Sequence, residues 1–222
     1  MPEEYSILLE PYGAVYIDIA KVASSSVKAT LASALALAGA DGNPHEVEFA
    51  RPPAADVISD RLYPGLFTFT FVRNPWDRLV SCYRDKIVGD VNGFTAFAAS
   101  GVAHCLARFS EFSANMSFED FVRAVASIPD DRADEHFRSQ ADYVINSRGM
   151  VAVDFIGRYE TMGEDFAQVA RRIGLPSDIR LPHLQAAPKM DYEGFFNAET
   201  RSIAAARYSK DVALFGYEFP LG

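Results

Sequence analysis

The feature that most limits the fold of this chain is the run "LFTFTFV" at positions 66–72. Its residues are aromatic, aliphatic or β-branched, which favours a β-strand. Successive side chains of a strand point to opposite faces, so an almost wholly apolar strand needs cover on both faces of its sheet. The run therefore predicts a central parallel strand with helices packed on either side.

Two further segments predict strands beside it, "AVYIDI" at 14–19 and "VAVDFIGRY" at 151–159. Apolar residues at helical spacing follow each predicted strand, and a last helix is expected over 197–214. No hairpin signal stands out between these segments. Strands that alternate with helices predict an α/β fold with three layers, a mostly parallel sheet flanked by helices. A length of 222 residues fits one domain, 1–222.

Composition narrows the partners and the compartment. The 30 acidic and 21 basic side chains give a net charge of -9, which argues against nucleic acid or another long polyanion as the partner. The two cysteines, Cys82 and Cys105, form no metal-type pair and fit a reducing compartment. No signal peptide or membrane span is recognisable. We expect a cytoplasmic protein without a metal, and the sequence leaves open whether it forms a homo-oligomer.

Basic and hydroxyl side chains follow the predicted strands. Ligands of parallel α/β sheets bind at the carboxyl ends of the strands, which places Lys21, residues 24–26, Arg73 and Arg158 on one rim. A helix N-terminus after the serines favours an anion. A charge directly after an apolar strand needs a partner, so Arg73 binds either an anionic ligand or a carboxylate such as Asp77. Taken singly, a serine here is also a plausible helix cap, and Lys21 a solvated lysine.

Two stretches together resemble a known pair of motifs. "DIAKVASSSVKATL" (18–31) and "FTFTFVRNPWDRLVSCYRDK" (67–86) are similar to the cofactor motifs of the Golgi-type and bacterial carbohydrate sulfotransferases, the sulfotransferase family 2 group. The resemblance extends over residues 15–219. It implies a P-loop nucleotide-hydrolase-like sulfotransferase fold and an enzyme that uses 3′-phosphoadenosine 5′-phosphosulfate (PAPS). The implied reaction moves a sulfuryl group from PAPS to a hydroxyl acceptor, most simply a carbohydrate, and leaves the nucleotide PAP.

The resemblance also implies which residues hold PAPS. The residues expected at the 5′-phosphosulfate form one loop: Lys21, Val22, Ala23, Ser24, Ser25 and Ser26. Lys21 would contact the bridging oxygen, and Arg73 with Ser81 would bind the 3′-phosphate. Arg158 on the rim and Lys189 in a late loop are further expected phosphate contacts. The loop departs from the family pattern, because Ala20 replaces the usual proline and serines replace glycine or threonine.

The hydroxyl acceptor needs a general base. His136 lies in "DEHFRSQADY", which resembles the "HWxPQ" stretch near which family members bind acceptors. Glu160, directly after "GRY", is the competing candidate. A structural histidine bonded to backbone is the alternative interpretation of His136.

Two other functions remain open at this stage. One is a catalytically inert module that binds PAPS or PAP, which has less need of Lys21. The other is a nucleotide kinase, which needs a glycine-rich loop ending in Lys-Ser/Thr, whereas Lys21 precedes the small residues. For the enzyme we expect a soluble, bacterial protein that acts on a glycan precursor or on a small hydroxylated metabolite.

Overall fold

One mixed sheet organises this computed structural model. The residues that the structure describes are 6–37, 42–53, 57, 65–89, 95–181 and 191–220. The strands, in the spatial order β1-β2-β3-β4, are Ser6–Leu9 (β1), Ala14–Ile17 (β2), Phe67–Val72 (β3) and Phe155–Arg158 (β4). The β1–β2 pair is antiparallel, and the β2–β3 and β3–β4 pairs are parallel. The predicted α/β class with a mostly parallel sheet is confirmed.

Helices account for most of the remaining regular structure. The α-helices in the described ranges are Ser24–Ala34 (α1), Pro75–Tyr83 (α2), Phe118–Ser127 (α3), Met162–Ile173 (α4), Ala198–Arg207 (α5) and Ser209–Phe215 (α6). A π-helical turn, Arg84–Val88, extends α2. Short 3₁₀ turns are Glu10–Tyr12, His104–Leu106, Gln140–Tyr143, Tyr159–Thr161 and Glu193–Phe195. None of the described helices has the length and apolar character that crossing a bilayer requires.

The chain divides into two compact units. The first consists of Met1–Arg73 and Asp142–Lys189, the second of Asn74–Ala141 and Met190–Gly222. The first unit contains the whole sheet with α1 and α4, and the second contains α2, α3, α5 and α6. The expectation of a single domain stays a prediction.

The core of the first unit is built on β3. Phe69 packs against Tyr16 of β2 with ring centres 5.4 Å apart, and Phe71 packs against Phe166 of α4 at 6.3 Å. Gly157 of β4 lies opposite Phe71, and a Cβ added there would come within 2.5 Å of the Phe71 ring. The two strands therefore pack closely because this position carries no side chain.

A hairpin precedes the parallel part of the sheet, although no hairpin was expected from the sequence. After the turn Glu10–Tyr12, β2 runs back along β1, and Gly13 adopts a φ of +58° at the end of that turn. Pro11 and Gly13 are the signal for this turn. Strand β1 was missed by the sequence analysis.

The loop between β2 and α1 adopts a backbone that usually needs glycine. Lys21 has a φ of 69° and Ala23 a φ of 65°, both in the left-handed region. Helix α1 begins directly afterwards at Ser24, with Ala23 as its N-cap residue. A left-handed residue with a Cβ costs about 1–2 kcal/mol, so the surrounding structure has to hold this loop in place.

The second unit is held together by an aromatic cluster and a buried arginine. Phe112, Phe121 and Phe137 pack with ring centres 5.6 and 5.7 Å apart. The Arg78 guanidinium on α2, 1% exposed, donates to the carbonyl oxygens of Arg138 at 2.7 Å and Glu135 at 2.8 Å. These bonds offset the cost of burying its charge.

The last predicted helix, 197–214, is wrong in one respect, because the structure has two helices there. Asn197 caps α5 through a capping box with Thr200. Tyr208 then leaves the helical conformation, with a φ of -105° and a ψ of 27°, and separates α5 from α6. Its buried hydroxyl donates to the Phe137 carbonyl at 3.0 Å, a tertiary contact that sequence periodicity does not reveal.

Asp130 in the second unit provides a test of stability against pH. Its carboxylate lies 2.7 Å from Arg207 Nη2 and accepts the Ser139 N–H at 3.0 Å. Burial opposes ionisation, but these partners outweigh it and lower the pKa of Asp130 to about 2. A depressed carboxyl pKa stabilises the fold above the unfolded value of about 4, and this stabilisation is lost as pH falls toward about 2.

We therefore expect Asp130→Asn to lower the free energy of unfolding at pH 7 by about 1 kcal/mol, since solvent screens a partly exposed pair. The variant should also lose less stability than the wild type between pH 4 and pH 2. Urea unfolding across that range measures both effects. Asp131→Asn, at the exposed neighbouring position, is the control. Parallel pH profiles for wild type and Asp130→Asn would contradict the assignment.

The left-handed loop gives a second test. Ala23→Gly should raise the free energy of unfolding by up to about 1 kcal/mol, because relief of the left-handed cost exceeds the entropy that glycine adds to the unfolded chain. The control is Ala167→Gly inside α4, which should lose about 1 kcal/mol. Thermal and urea unfolding measure both variants. Similar losses in the two variants would show that Ala23 is not strained.

Candidate active site

The carboxyl ends of the three parallel-paired strands bring three loops to one edge of the sheet in the first unit. Val72, the last residue of β3, is paired with Arg158, the last residue of β4. Strand β2 ends at Ile17, four residues before Lys21. The predicted rim is therefore formed by the loop after β2, by Arg73 after β3 and by the turn after β4.

Arg73 connects these loops. Its Nη1 donates to the Lys21 carbonyl oxygen at 3.2 Å, and its guanidinium lies 4.0 Å from the centre of the Tyr159 ring. The residue is buried, 7% exposed, so both contacts form away from bulk water. A cation over an aromatic face is attracted by the negative face of the ring. The sequence predicted Arg73 but not Tyr159, whose only signal was its place directly after Arg158.

The start of α1 provides the donors for an anion. The first backbone N–H groups of a helix have no acceptor within the helix, and here they belong to Ser24, Ser25 and Ser26. Left-handed residues among helical ones turn successive N–H groups toward a common point, as in anion-binding nests. Lys21 and Ala23 supply that conformation. The loop before α1 thus combines two left-handed residues with the N–H groups of a helix start, although it contains no glycine.

The hydroxyl of Ser24 is used within the protein. It donates to Asp18 Oδ1 at 2.5 Å, and the other oxygen of Asp18 lies 3.0 Å from Lys28 Nζ and 3.9 Å from Arg51. Burial opposes ionisation of Asp18, but the charge of Lys28 and the Ser24 hydrogen bond lower its pKa below the usual value. Ser24 can therefore contact an anion through its backbone N–H and not through its hydroxyl hydrogen. Lys28, on the buried side of α1, was missed by the sequence analysis.

Arg158 and Glu160 lie at the margin of this site. Both are exposed, and the Arg158 N–H donates to Asp165 Oδ2 at 2.7 Å, which anchors the turn after β4. Their side-chain roles toward a ligand stay predictions. Lys189, the remaining predicted phosphate contact, lies outside the described residues.

The second unit carries the other two predicted residues. Ser81 lies on α2 and is buried, 9% exposed. His136 lies in the irregular segment after α3, and its Nδ1 lies 2.6 Å from Asp134 Oδ1. Burial opposes ionisation of Asp134, yet the hydrogen bond from His136 lowers its pKa. An ionised carboxylate only accepts, so the proton lies on Nδ1 and the Nε2 of neutral His136 keeps its lone pair. The sequence analysis missed Asp134, although it lies only two residues before His136.

Cys105 lies beside this pair. One ligand-type atom from each of Cys105, Asp134 and His136 lies within 4.8 Å of the others, the arrangement among the described residues that comes nearest to a metal site. Burial and the charge of Asp134 raise the pKa of the Cys105 thiol to about 11. Arg108 also lies 3.5 Å from Asp134. A protonated thiol and a neighbouring guanidinium suit a hydrogen-bonded cluster better than a bound cation.

A cavity of about 680 Å³ lies elsewhere in the first unit, lined by residues that include Phe67, Thr68, Asp154 and Arg172. Phe67 begins β3, so this cavity lies at the opposite end of the strand from Arg73. Ligands of parallel sheets bind at the carboxyl ends. The loops around Arg73 are therefore the better candidate for the ligand site.

The sequence of this chain is similar to the sequences of several known proteins. Carbohydrate sulfotransferase 14 of Danio rerio is 26% identical over 166 residues, 69% of this chain and 44% of that protein. Carbohydrate sulfotransferase 11 of Rattus norvegicus is 28% identical over 168 residues, 68% of this chain and 47% of that protein. An uncharacterised protein of Archaeoglobus fulgidus is 32% identical over 122 residues, 55% of this chain and 79% of that protein. No solved structure gives a significant match.

The chain spans less than half the length of the two carbohydrate sulfotransferases. The relatives named here come from vertebrates and an archaeon, so the expected bacterial source stays a prediction. The model of the family described as "Sulfotransferase family" matches residues 6–218, nearly the whole chain. Because this match covers nearly the whole chain, the chain belongs to the sulfotransferase family.

Proposed function

We propose that this protein transfers the sulfuryl group of PAPS to a hydroxyl group of a carbohydrate. The observation that carries the proposal is the loop of Lys21 to Ser26, whose left-handed backbone opens α1 and is tied to Arg73. Family membership supports PAPS as the donor. The names of the relatives support a carbohydrate as the acceptor.

The residues present fit a phosphosulfate. Its oxygens are acceptors only, and the loop offers backbone N–H groups of Ser24 to Ser26 at a helix N-terminus, where the dipole favours negative charge. Lys21, at the entry of the loop, adds a positive charge on a flexible stem. Bound there, PAPS supplies an activated sulfuryl group and a phosphate leaving group.

The chain's part in the reaction is positioning and charge stabilisation. The S–O bond to the phosphate breaks, a new S–O bond forms to the acceptor oxygen, and the hydroxyl proton passes to a base. Lys21 stabilises the negative charge that develops on the leaving phosphate. His136 takes the proton at Nε2, because Asp134 holds the proton of the ring on Nδ1.

Two alternatives are disfavoured by particular residues. A kinase needs a carboxylate for Mg²⁺ near the phosphate loop, and the nearby Asp18 is already engaged by Ser24 and Lys28. An inert binding module has less need of a lysine at the bridging oxygen, where Lys21 is proposed to act.

Further features of the enzyme belong to this proposal. Neither Cys82 nor Cys105 forms a disulfide, which suits a cytoplasmic protein. A small hydroxylated metabolite is the second candidate acceptor, and a screen of acceptors with PAPS distinguishes it from a carbohydrate. The binding of the 3′-phosphate by Arg73 and Ser81 is proposed from the resemblance.

Replacement of Lys21 tests the mechanism. Lys21→Ala should lower kcat about 10²- to 10³-fold, because one stabilising donor at the leaving group is lost, while PAP binding weakens far less. Transfer of labelled sulfate from PAPS and calorimetric binding of PAP measure the two quantities. Lys210→Ala, an exposed lysine of the second unit, is the control. Unchanged turnover in Lys21→Ala would reject the role of Lys21.

Replacement of the two candidate bases tests the proton transfer. His136→Ala should lower kcat about 10²-fold or more. Asp134→Asn should also lower kcat, because the tautomer of His136 is then no longer fixed. Glu160→Gln should keep the wild-type kcat. If Glu160→Gln loses activity instead, the base is Glu160, and full activity in both variants rejects both residues.

A further inference from the structure

The side chain of His45 bridges two residues of α1. Its Nε2 lies 2.8 Å from Ser25 Oγ, and its Nδ1 lies 3.2 Å from Lys28 Nζ. Ser25 is in the first turn of the helix and Lys28 is three residues later, so both face the same side. His45 thus connects Ser25 of the proposed phosphosulfate loop with Lys28 in the second turn of α1.

The position of His45 is fixed by a local turn. Its backbone N–H donates to Asn43 Oδ1 at 3.1 Å, and the Asn43 carbonyl accepts the Glu46 N–H at 3.0 Å. The Asn43 side chain also donates to Glu46 at 2.9 Å. Although His45 is exposed, its ring is therefore held by contacts from both its backbone and its side chain.

The direction of these hydrogen bonds follows from the chemistry of the partners. Lys28 is buried, and its ammonium is paired with the Asp18 carboxylate at 3.0 Å. An ammonium only donates, so Nδ1 of His45 must accept. The neutral ring then carries its proton on Nε2 and donates to Ser25 Oγ.

The Ser25 hydroxyl consequently has its own hydrogen left to donate. Its oxygen accepts from His45, and its own hydrogen is left to point toward another acceptor. Ser24 has the reverse arrangement, because its hydroxyl hydrogen is used on Asp18. Two neighbouring serines at the same helix start are thus given different roles by Asp18 and His45.

We propose that His45 is a positioning residue that presents the Ser25 hydroxyl to the 5′-phosphosulfate of PAPS, an inference that rests on the proposed function. The chain of contacts runs from the Asp18 carboxylate through Lys28 and His45 to Ser25. A hydroxyl bond to a charged phosphate oxygen is stronger than one between neutral groups. The loss of its orientation should weaken nucleotide binding about ten-fold.

The experiment measures PAP affinity by calorimetry, and KM for PAPS with kcat, in four variants. His45→Ala and Ser25→Ala should each weaken PAP about ten-fold and raise KM more than they lower kcat. In the double variant the losses should not add, because His45 acts through Ser25. His45→Gln should bind within about three-fold of wild type, since its amide offers one acceptor and one donor. His104→Ala, an exposed histidine of the second unit, is the control.

The outcomes separate this inference from the function on which it rests. Wild-type PAP binding with additive losses in the double variant, or with no loss in His45→Ala, overturns the role of His45 alone. A wild-type chain that does not bind PAP overturns the proposed function and the inference together. Thermal unfolding of each variant checks that the fold is intact, and non-additive losses with rescue by glutamine support the proposal.

Discussion

The candidate active site depends on one buried guanidinium. Arg73 bonds the carbonyl of Lys21 and lies over the ring of Tyr159, so it connects the loops after β2 and β4 to the end of β3. It reaches both because β3 lies between two parallel neighbours. The parallel order of these strands thus determines which loops can meet, and the arginine holds them there.

Opposite charges near the start of α1 in the first unit offset one another. The Asp18 carboxylate, buried beneath the helix start, would repel an anionic ligand if it stood alone. Lys28 and Arg51 lie close enough to offset it. An acidic protein with a net charge of -9 can therefore offer an anion a locally favourable loop. A net charge of -9 therefore argues against a long polyanion as partner more strongly than against a single nucleotide.

The parts of the fold that local pattern determines could be predicted. The apolar run of β3, the helical spacing of α4 before Gly174 and the charge of Arg73 after the strand all appear in the structure. The proposed positions of the phosphosulfate loop also followed from order along the chain, strand then serines then helix. In each case the physical cause lies within about ten residues of sequence.

Contacts between distant segments could not be predicted. The Tyr159 ring under Arg73 and the Phe137 carbonyl that receives Tyr208 depend on packing, which no local spacing encodes. The left-handed Lys21 and Ala23 were hidden because the usual glycines are missing.

That missing glycine affects how the loop meets a ligand. A backbone with Cβ atoms has fewer conformations to lose than one with glycines, so the entropy of ordering the loop is met when the chain folds and not when the anion arrives. A loop of this kind cannot re-form around anions of different shapes. In the proposed function, the selectivity of this loop therefore comes from the fixed spacing of its N–H groups and not from a change in its conformation.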